Sequence, residues 1–307
     1  MKQPAKTHFD KKLDKIRDRK ESEEFLGVIQ NRSLKKLLNN KLAVFGLVFV
    51  VLVILAAIFA PLLTEYDPTR PDLRNLLQPP SLEHILGTDK VGRDVFSRVI
   101  YGGRISIIVG LGSALGAAII GVSIGAYAGY RGGWLDSIIL RLSEIMVAFP
   151  QIVLVMMLVA IAGQSLLNLI VIFTLTGWAG LYRITRAQML SLREEEYVQA
   201  LKAFGLSRSN IAFKHILPNC LGPIMVNITL NTAMFILAEA GLSFLGLGVP
   251  LQIATWGNIL SVAIDLRILE HYWWVWAPAA IMISMFVLAI NFLGDGLRDS
   301  TDTSLQG

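Results

Sequence analysis

The chain has 307 residues, 54% of them hydrophobic and only 17% charged, with a mean hydropathy of +0.57. A soluble domain carries about 25% charged residues; several uncharged runs of twenty or more residues mark this chain instead as a polytopic membrane protein. The net charge of +5 does not indicate nucleic acid, because twelve of the 28 Lys and Arg precede Leu42. A single cysteine, Cys220, excludes an internal disulfide, and four scattered histidines (His8, His84, His215, His271) without a Cys/His cluster argue against a metal centre.

Residues 1–41 form a polar tail with twelve Lys/Arg and six Asp/Glu. The charged stretch is too long for a secretory signal peptide and reads as a solvated cytosolic anchor. Residues 42–63 are 22 without a charge, about 33 Å as a helix, and form the first span, flanked by Lys41 and broken at Pro61. Residues 64–104, with prolines at 68, 71, 79 and 80 and balanced charge, read as a structured external loop. Within it Asp89, Arg93 and Asp94 either fold the loop internally or meet a partner.

Span two covers Ile105 to Tyr130, and its glycines at 112/116 and 121/125/129 recur at four-residue spacing. In lipid, such spacing permits close helix approach, which predicts a span buried in a bundle. Residues 131–144 are polar, and no charge appears from Ile145 to Tyr182. That length fits two spans, divided at Gly163-Gln164-Ser165, with span three kinked at Pro150 and span four covering 166–182. Span five covers 221–238. Residues 239–271 read as an external loop partly re-entering the bundle. Span six covers 272–294, opens on the interfacial aromatics Tyr272-Trp273-Trp274, and leaves a short tail over 295–307. With both termini in the cytosol, the cytosolic segments hold 21 of the 28 Lys and Arg, as the positive-inside rule requires.

Enzyme signatures are absent. Gly87-Thr-Asp-Lys-Val-Gly92 lacks the lysine a phosphate-binding loop needs, and neither H-E-x-x-H nor G-x-S-x-G occurs. No cofactor site is expected. The informative segment is 183–219. Glu194 to Glu196 crowd a helix start, where the dipole favours anions. Tyr197, Ala200, Leu201 and Phe204 share a helical face. Gly205 can end that helix in the left-handed region, and Ser207 can cap a second one running to Pro218. An apolar stripe there either packs on the chain's own helices or docks in a partner's groove. On span five, Asn227 and Asn231 share a face and Glu239 lies near its outer end. Either these three line a polar translocation wall, or Glu239 caps or pairs within the following loop and the asparagines bond across helices.

The 183–219 loop resembles the coupling loop of ABC importer permeases, whose pattern is Glu-Ala-Ala, three residues, Gly, nine residues, Ile-x-Leu-Pro. Aligned on Gly205, this chain has Gln199-Ala200-Leu201 and His215-Ile-Leu-Pro218. Gln199 removes the family carboxylate, which Glu194 to Glu196 can supply instead. Asn40-Lys-Leu-Ala-Val-Phe-Gly46, Phe59-Ala-Pro-Leu-Leu63, the 84–94 string, Glu239-Ala-Gly-Leu-Ser-Phe-Leu-Gly-Leu-Gly248, Trp256-Gly257 and the 291–299 string resemble the oligopeptide/dipeptide branch, C-type subunit.

The resemblance implies an all-α, six-span type I ABC importer fold in a bacterial cell membrane, with a permease domain over 105–294. It implies a homologous permease partner, two cytosolic ATPases, an external binding protein and a peptide cargo, and no catalysis on this chain. Glu196, Tyr197, Gln199, Ala200, Leu201, Lys202, Phe204 and Gly205 would form the ATPase-coupling site. A nickel, glutathione or other small-solute cargo keeps the same fold. A secondary transporter or channel would need coupling charges within the spans.

Overall fold

The computed structural model describes residues 35–301. Most of the polar tail expected over 1–41, and residues 302–307 of the tail expected after span six, lie outside these residues.

Helix α1 (Lys41–Ile58) starts at Asn40, whose Oδ1 accepts the N–H groups of Leu42 and Ala43 at 3.1 and 3.2 Å. Pro61 does not stop it. After a break at Phe59 the chain takes one further turn, Ala60–Leu63, with Pro61 in its first turn, where a missing N–H costs nothing. Helix α2 (Val95–Arg131) begins ten residues before the expected span. Asp94 caps it, accepting from Ser97 N–H at 2.7 Å. Arg98 and Arg104, expected to precede the span, lie inside the helix because each has a partner. Arg98 sits 3.7 Å from Asp89, and Arg104 donates to the carbonyls of Ala57 and Ile58 at the end of α1, both at 3.0 Å.

Helices α3 (Gly133–Ala148) and α4 (Gln151–Ala162) meet at a 90° bend. The residues expected to form a polar link over 131–144 are largely helical. The kink expected at Pro150 is a break instead, since Phe149 takes the extended conformation (ψ 140°) forced on a residue before proline. Helix α5 (Leu166–Leu192) outruns the expected span by ten residues, and within that extension Arg186 is paired with Asp136. Helix α6 (Glu196–Ala203) opens the hairpin. From Arg208 to Cys220 the chain stays helical, with wide turns over Ile211–Ile216 and a tight one over Leu217–Cys220. This change of winding carries the chain past Pro218 into α7 (Leu221–Phe244). Short helices α8 (Trp256–Leu260) and α9 (Leu266–His271) lead to α10 (Trp273–Thr301), which continues beyond the expected end of span six.

Among the described residues, five helices are long and apolar enough to cross a membrane, and six if the bent α3–α4 pair is one span. The most extensive packing joins α2 to α5. A Cβ added at Gly121 would meet Trp178 O at 2.5 Å, one at Gly125 would meet Tyr182 O at 2.9 Å, and one at Gly129 would meet Arg186 Cα at 3.1 Å. The 121/125/129 repeat is therefore a seam along which two backbones touch. The 112/116 pair is not its equivalent: Gly116 meets the Thr174 side chain, while Gly112 has nothing within 4 Å. Helix α1 crosses α10 closely at Gly46, beside Ala289. Ala43 lies against Gly296, and Thr229, near the start of α7, against Gly294. Both described ends and the hairpin thus share one end of the bundle. The 64–94 loop lies beyond the far end of α1.

Candidate functional site

The hairpin is built from local signals. Glu195 takes the cap position of α6 and Glu196 its first turn. At its end, Gly205 adopts φ +75°; its N–H donates to Lys202 O at 3.0 Å, and Leu206 N–H donates to Leu201 O at 3.3 Å. These two bonds form a Schellman turn, with Leu201 and Leu206 both packed on the same apolar cluster. Ser207 Oγ accepts from Asn210 N–H and restarts the helix. Asn219 Nδ2 donates to His215 O at 3.0 Å and to Tyr197 Oη at 3.4 Å, which ties the second arm back to α6.

The expected stripe divides in two. Val198 is fully buried and Leu201 half-buried, in a cluster with Tyr130, Met189, Ile211, Ile216 and Cys220. Tyr197 is 40% and Phe204 81% exposed, and Ala200 lies exposed between them. Within the described residues the chain does not cover this face. Glu196, Gln199 and Lys202 are also exposed. Gln199 Nε2 donates to Arg193 O at 3.4 Å, and Lys202 Nζ donates to the same carbonyl at 3.3 Å. Helix α6 thus presents one apolar face outward and is fastened on the opposite side.

The three candidate path residues are not brought together. Asn227 and Asn231 lie half-buried on α7, beside the exposed Leu230, Met234 and Leu237. Asn227 Nδ2 donates to Pro223 O one turn back at 2.9 Å. Glu239 lies about 12 Å further along the axis than Asn231 and about 80° round it, at 1.5 Å and 100° per residue. It is fully buried. Its carboxylate accepts from Ser243 Oγ at 2.8 Å, Thr255 Oγ1 at 2.9 Å and Ser106 Oγ at 3.5 Å. Ser106 Oγ also accepts the Trp256 N–H at 3.1 Å, and Trp256 Nε1 donates to Val99 O at 2.9 Å. Glu239 therefore ties α2, α7 and α8 together.

One further polar group escaped the sequence reading. Asp136 on α3 is gripped by Arg186 on α5 and accepts from Tyr182 Oη at 3.2 Å. Fifty residues separate Asp136 from Arg186, so no local spacing links them. In the 64–94 loop, Asp89 accepts from Arg93 Nε at 2.7 Å and from the N–H groups of Val91 and Arg93, while Asp94 Oδ1 lies 2.9 Å from His84 Nδ1. Of the two readings left open for Asp89, Arg93 and Asp94, their side-chain bonds follow internal folding. In the same loop Tyr66, its ring tilted against that of His84, has its hydroxyl pKa raised by burial and by nearby carboxylates.

Comparison with known proteins follows the same lines. Residues 121–306 match the binding-protein-dependent transport system inner membrane component family, and residues 31–80 match the N-terminal transmembrane domain of oligopeptide transport permease C. The chain is 43% identical over 270 residues to the oligopeptide transport system permease protein OppC of Bacillus subtilis, covering 87% of each. It is 44% identical over 276 residues to the dipeptide transport system permease protein DppC of Alkalihalophilus pseudofirmus, covering 89% of this chain and 90% of that one. It is 42% identical over 275 residues to the corresponding DppC of Bacillus subtilis, covering 90% of this chain and 85% of that one. A family match across more than half the chain, together with relatives aligned over most of their own length, places this protein in the family of binding-protein-dependent transport system inner membrane components, as a multi-pass membrane permease.

Proposed function

We propose that this chain is one of two homologous membrane subunits of a peptide importer, with both termini in the cytosol and the α3–α4 pair counting as a sixth span. The relatives named for oligopeptide and dipeptide transport support the peptide cargo. The 21 of 28 Lys and Arg that fall in the sequence segments assigned to the cytosol support the orientation. An external binding protein delivers the peptide, and two cytosolic ATPases drive the cycle. The chain itself performs no chemistry.

The observation that carries this reading is the stiff hairpin with an uncovered apolar face. In the proposed cycle, ATP closes the ATPase dimer, and α6, seated in a cleft on one ATPase, moves with it as a rigid body. Val198 and the Gly205 turn pass that motion to the ends of α2, α5 and α7, which changes the side to which the path opens. Tyr197, Ala200 and Phe204 form the docking face, with Glu196 at its edge, while Gln199 and Lys202 hold α6 in place from the opposite side. Asn227 and Asn231, beside the exposed face of α7, contribute polar groups to the path.

A cross-linking experiment tests the reading. Ala200→Cys lies on the docking face, Leu73→Cys lies on the loop at the opposite end, and native Cys220 is fully buried. With the ATPases co-expressed, a short bifunctional thiol–amine reagent should join them to the chain from position 200 and not from position 73. Adducts from position 73 alone would reverse the orientation and end the coupling assignment.

A further inference from the structure

Beside the hairpin, on the side of α6 away from its exposed face, lies a cavity of about 500 Å³ lined by Tyr130, Arg131, Arg193, Glu194, Lys202 and Arg208, among others. Four cations and one carboxylate converge on it. Glu194 is engaged by Arg193 at 2.8 Å. Among the described residues Arg131, Lys202 and Arg208 make no ion pair. Arg131 Nη1 donates to the neutral Tyr127 Oη at 2.8 Å, and Lys202 Nζ reaches only the oxygens of Arg193 O and Gln199 Oε1, both at 3.3 Å, and lies 5.9 Å from the centre of the Tyr130 ring. Like charges gathered around a cavity repel unless an anion sits among them.

We propose that this cavity binds a phosphate group. Arginine forks and a lysine ammonium together suit phosphate oxygens, and the lone carboxylate is already paired. The cavity's place in the chain narrows the source. Tyr130 ends the uncharged stretch that begins at Ile105, and Arg131 is the first charge after it. The site therefore lies where apolar helix gives way to water, the depth at which phospholipid headgroups carry their phosphates. A free phosphorylated solute reaches the same groups from the aqueous side. In either case the anion joins Arg131, at the end of α2, to Lys202 and Arg208 on the hairpin, and fastens the hairpin to the bundle while leaving Tyr197 and Phe204 uncovered. The site depends neither on the cargo nor on the coupling assignment.

The test titrates the full-length chain in neutral detergent with dihexanoyl phosphatidylglycerol, dihexanoyl phosphatidylcholine and inorganic phosphate, with binding read by calorimetry. The variants are Arg131→Gln/Arg208→Gln, the charge-keeping Arg131→Lys/Arg208→Lys, and Arg141→Gln as a control whose partner, Glu144, lies outside the cavity. The expected result is binding of phosphatidylglycerol or phosphate that weakens about tenfold or more in the Gln pair, as loss of two charge-assisted contacts requires, and is kept in the Lys pair and the control. Preference for phosphatidylglycerol over both other probes assigns a lipid headgroup; binding of inorganic phosphate alone assigns a soluble anion. No binding of either anion, or equal binding by parent and Gln pair, overturns the proposal. So does a Gln pair that binds phosphate like the parent but loses co-purifying ATPases, since the cavity then belongs to an acidic segment of a partner protein.

Discussion

Arg186 grips Asp136 with two parallel hydrogen bonds, Nε to Oδ1 and Nη2 to Oδ2, each 2.6 Å long. Asp136 is 6% exposed, so the pair is sheltered and its fork geometry is held. It is the polar link between α3 and α5, and it sets where the bent helix pair leaves the bundle. A double-mutant cycle of Asp136→Ala and Arg186→Ala, read by thermal unfolding in detergent, should return a coupling of about 1–3 kcal/mol. Strict additivity would mean that the pair contributes nothing to the packing of α3.

The glycine seam makes a paired prediction. Gly125→Leu drives a side chain into the Tyr182 carbonyl and the Thr185 side chain, and overpacking of this kind costs about 1–3 kcal/mol. Gly112→Ala meets nothing within 4 Å and removes a helix-interior glycine, which should stabilise by about 0.5–1 kcal/mol. The melting temperatures of the two variants should therefore move in opposite directions. A shared direction would contradict the assignment of the seam to 121/125/129 alone.

Glu239 distinguishes a structural tie from a transport residue. Glu239→Ala strands the hydroxyls of Ser106, Ser243 and Thr255 in the interior, at a cost of about 1–3 kcal/mol each where no new partner is found. Glu239→Gln keeps one acceptor oxygen and should lose less. Stability should follow the order parent, Gln, Ala, and transport per folded molecule should stay near parental in the Gln variant. Full stability with abolished peptide uptake in Glu239→Gln would instead place the carboxylate on the path.

Much of this was legible in the sequence, and the remainder has identifiable physical causes. The uncharged runs locate the long helices because a membrane span tolerates few bare charges. They misplace the ends wherever a charge is satisfied by a distant group: Arg104 by the last carbonyls of α1, and Arg186 by Asp136. The Gly205 turn was readable because a Schellman motif is encoded within six residues. The division of the α6 stripe was not, since periodicity identifies an apolar face without saying which half the chain itself covers; Val198 and Leu201 turn inward onto residues from four other segments. The Glu239 tie rests on Ser106, 133 residues away, and no spacing in the sequence encodes that contact. Pro150 signalled a disturbance, but the 90° size of the bend depends on how α4 packs against α5 and α7.

A rigid hairpin carries motion into the bundle in the proposed cycle, and Gly205 tests this most directly. Its Cβ position is open, so a substitution there strains only the backbone, where φ +75° disfavours a β-branched residue by about 1–2 kcal/mol or more. With the complete transporter reconstituted in proteoliposomes, ATP-driven uptake of a labelled peptide should fall about tenfold or more in Gly205→Val, at unchanged membrane insertion. Uptake at the parental rate from that assembly would contradict the account.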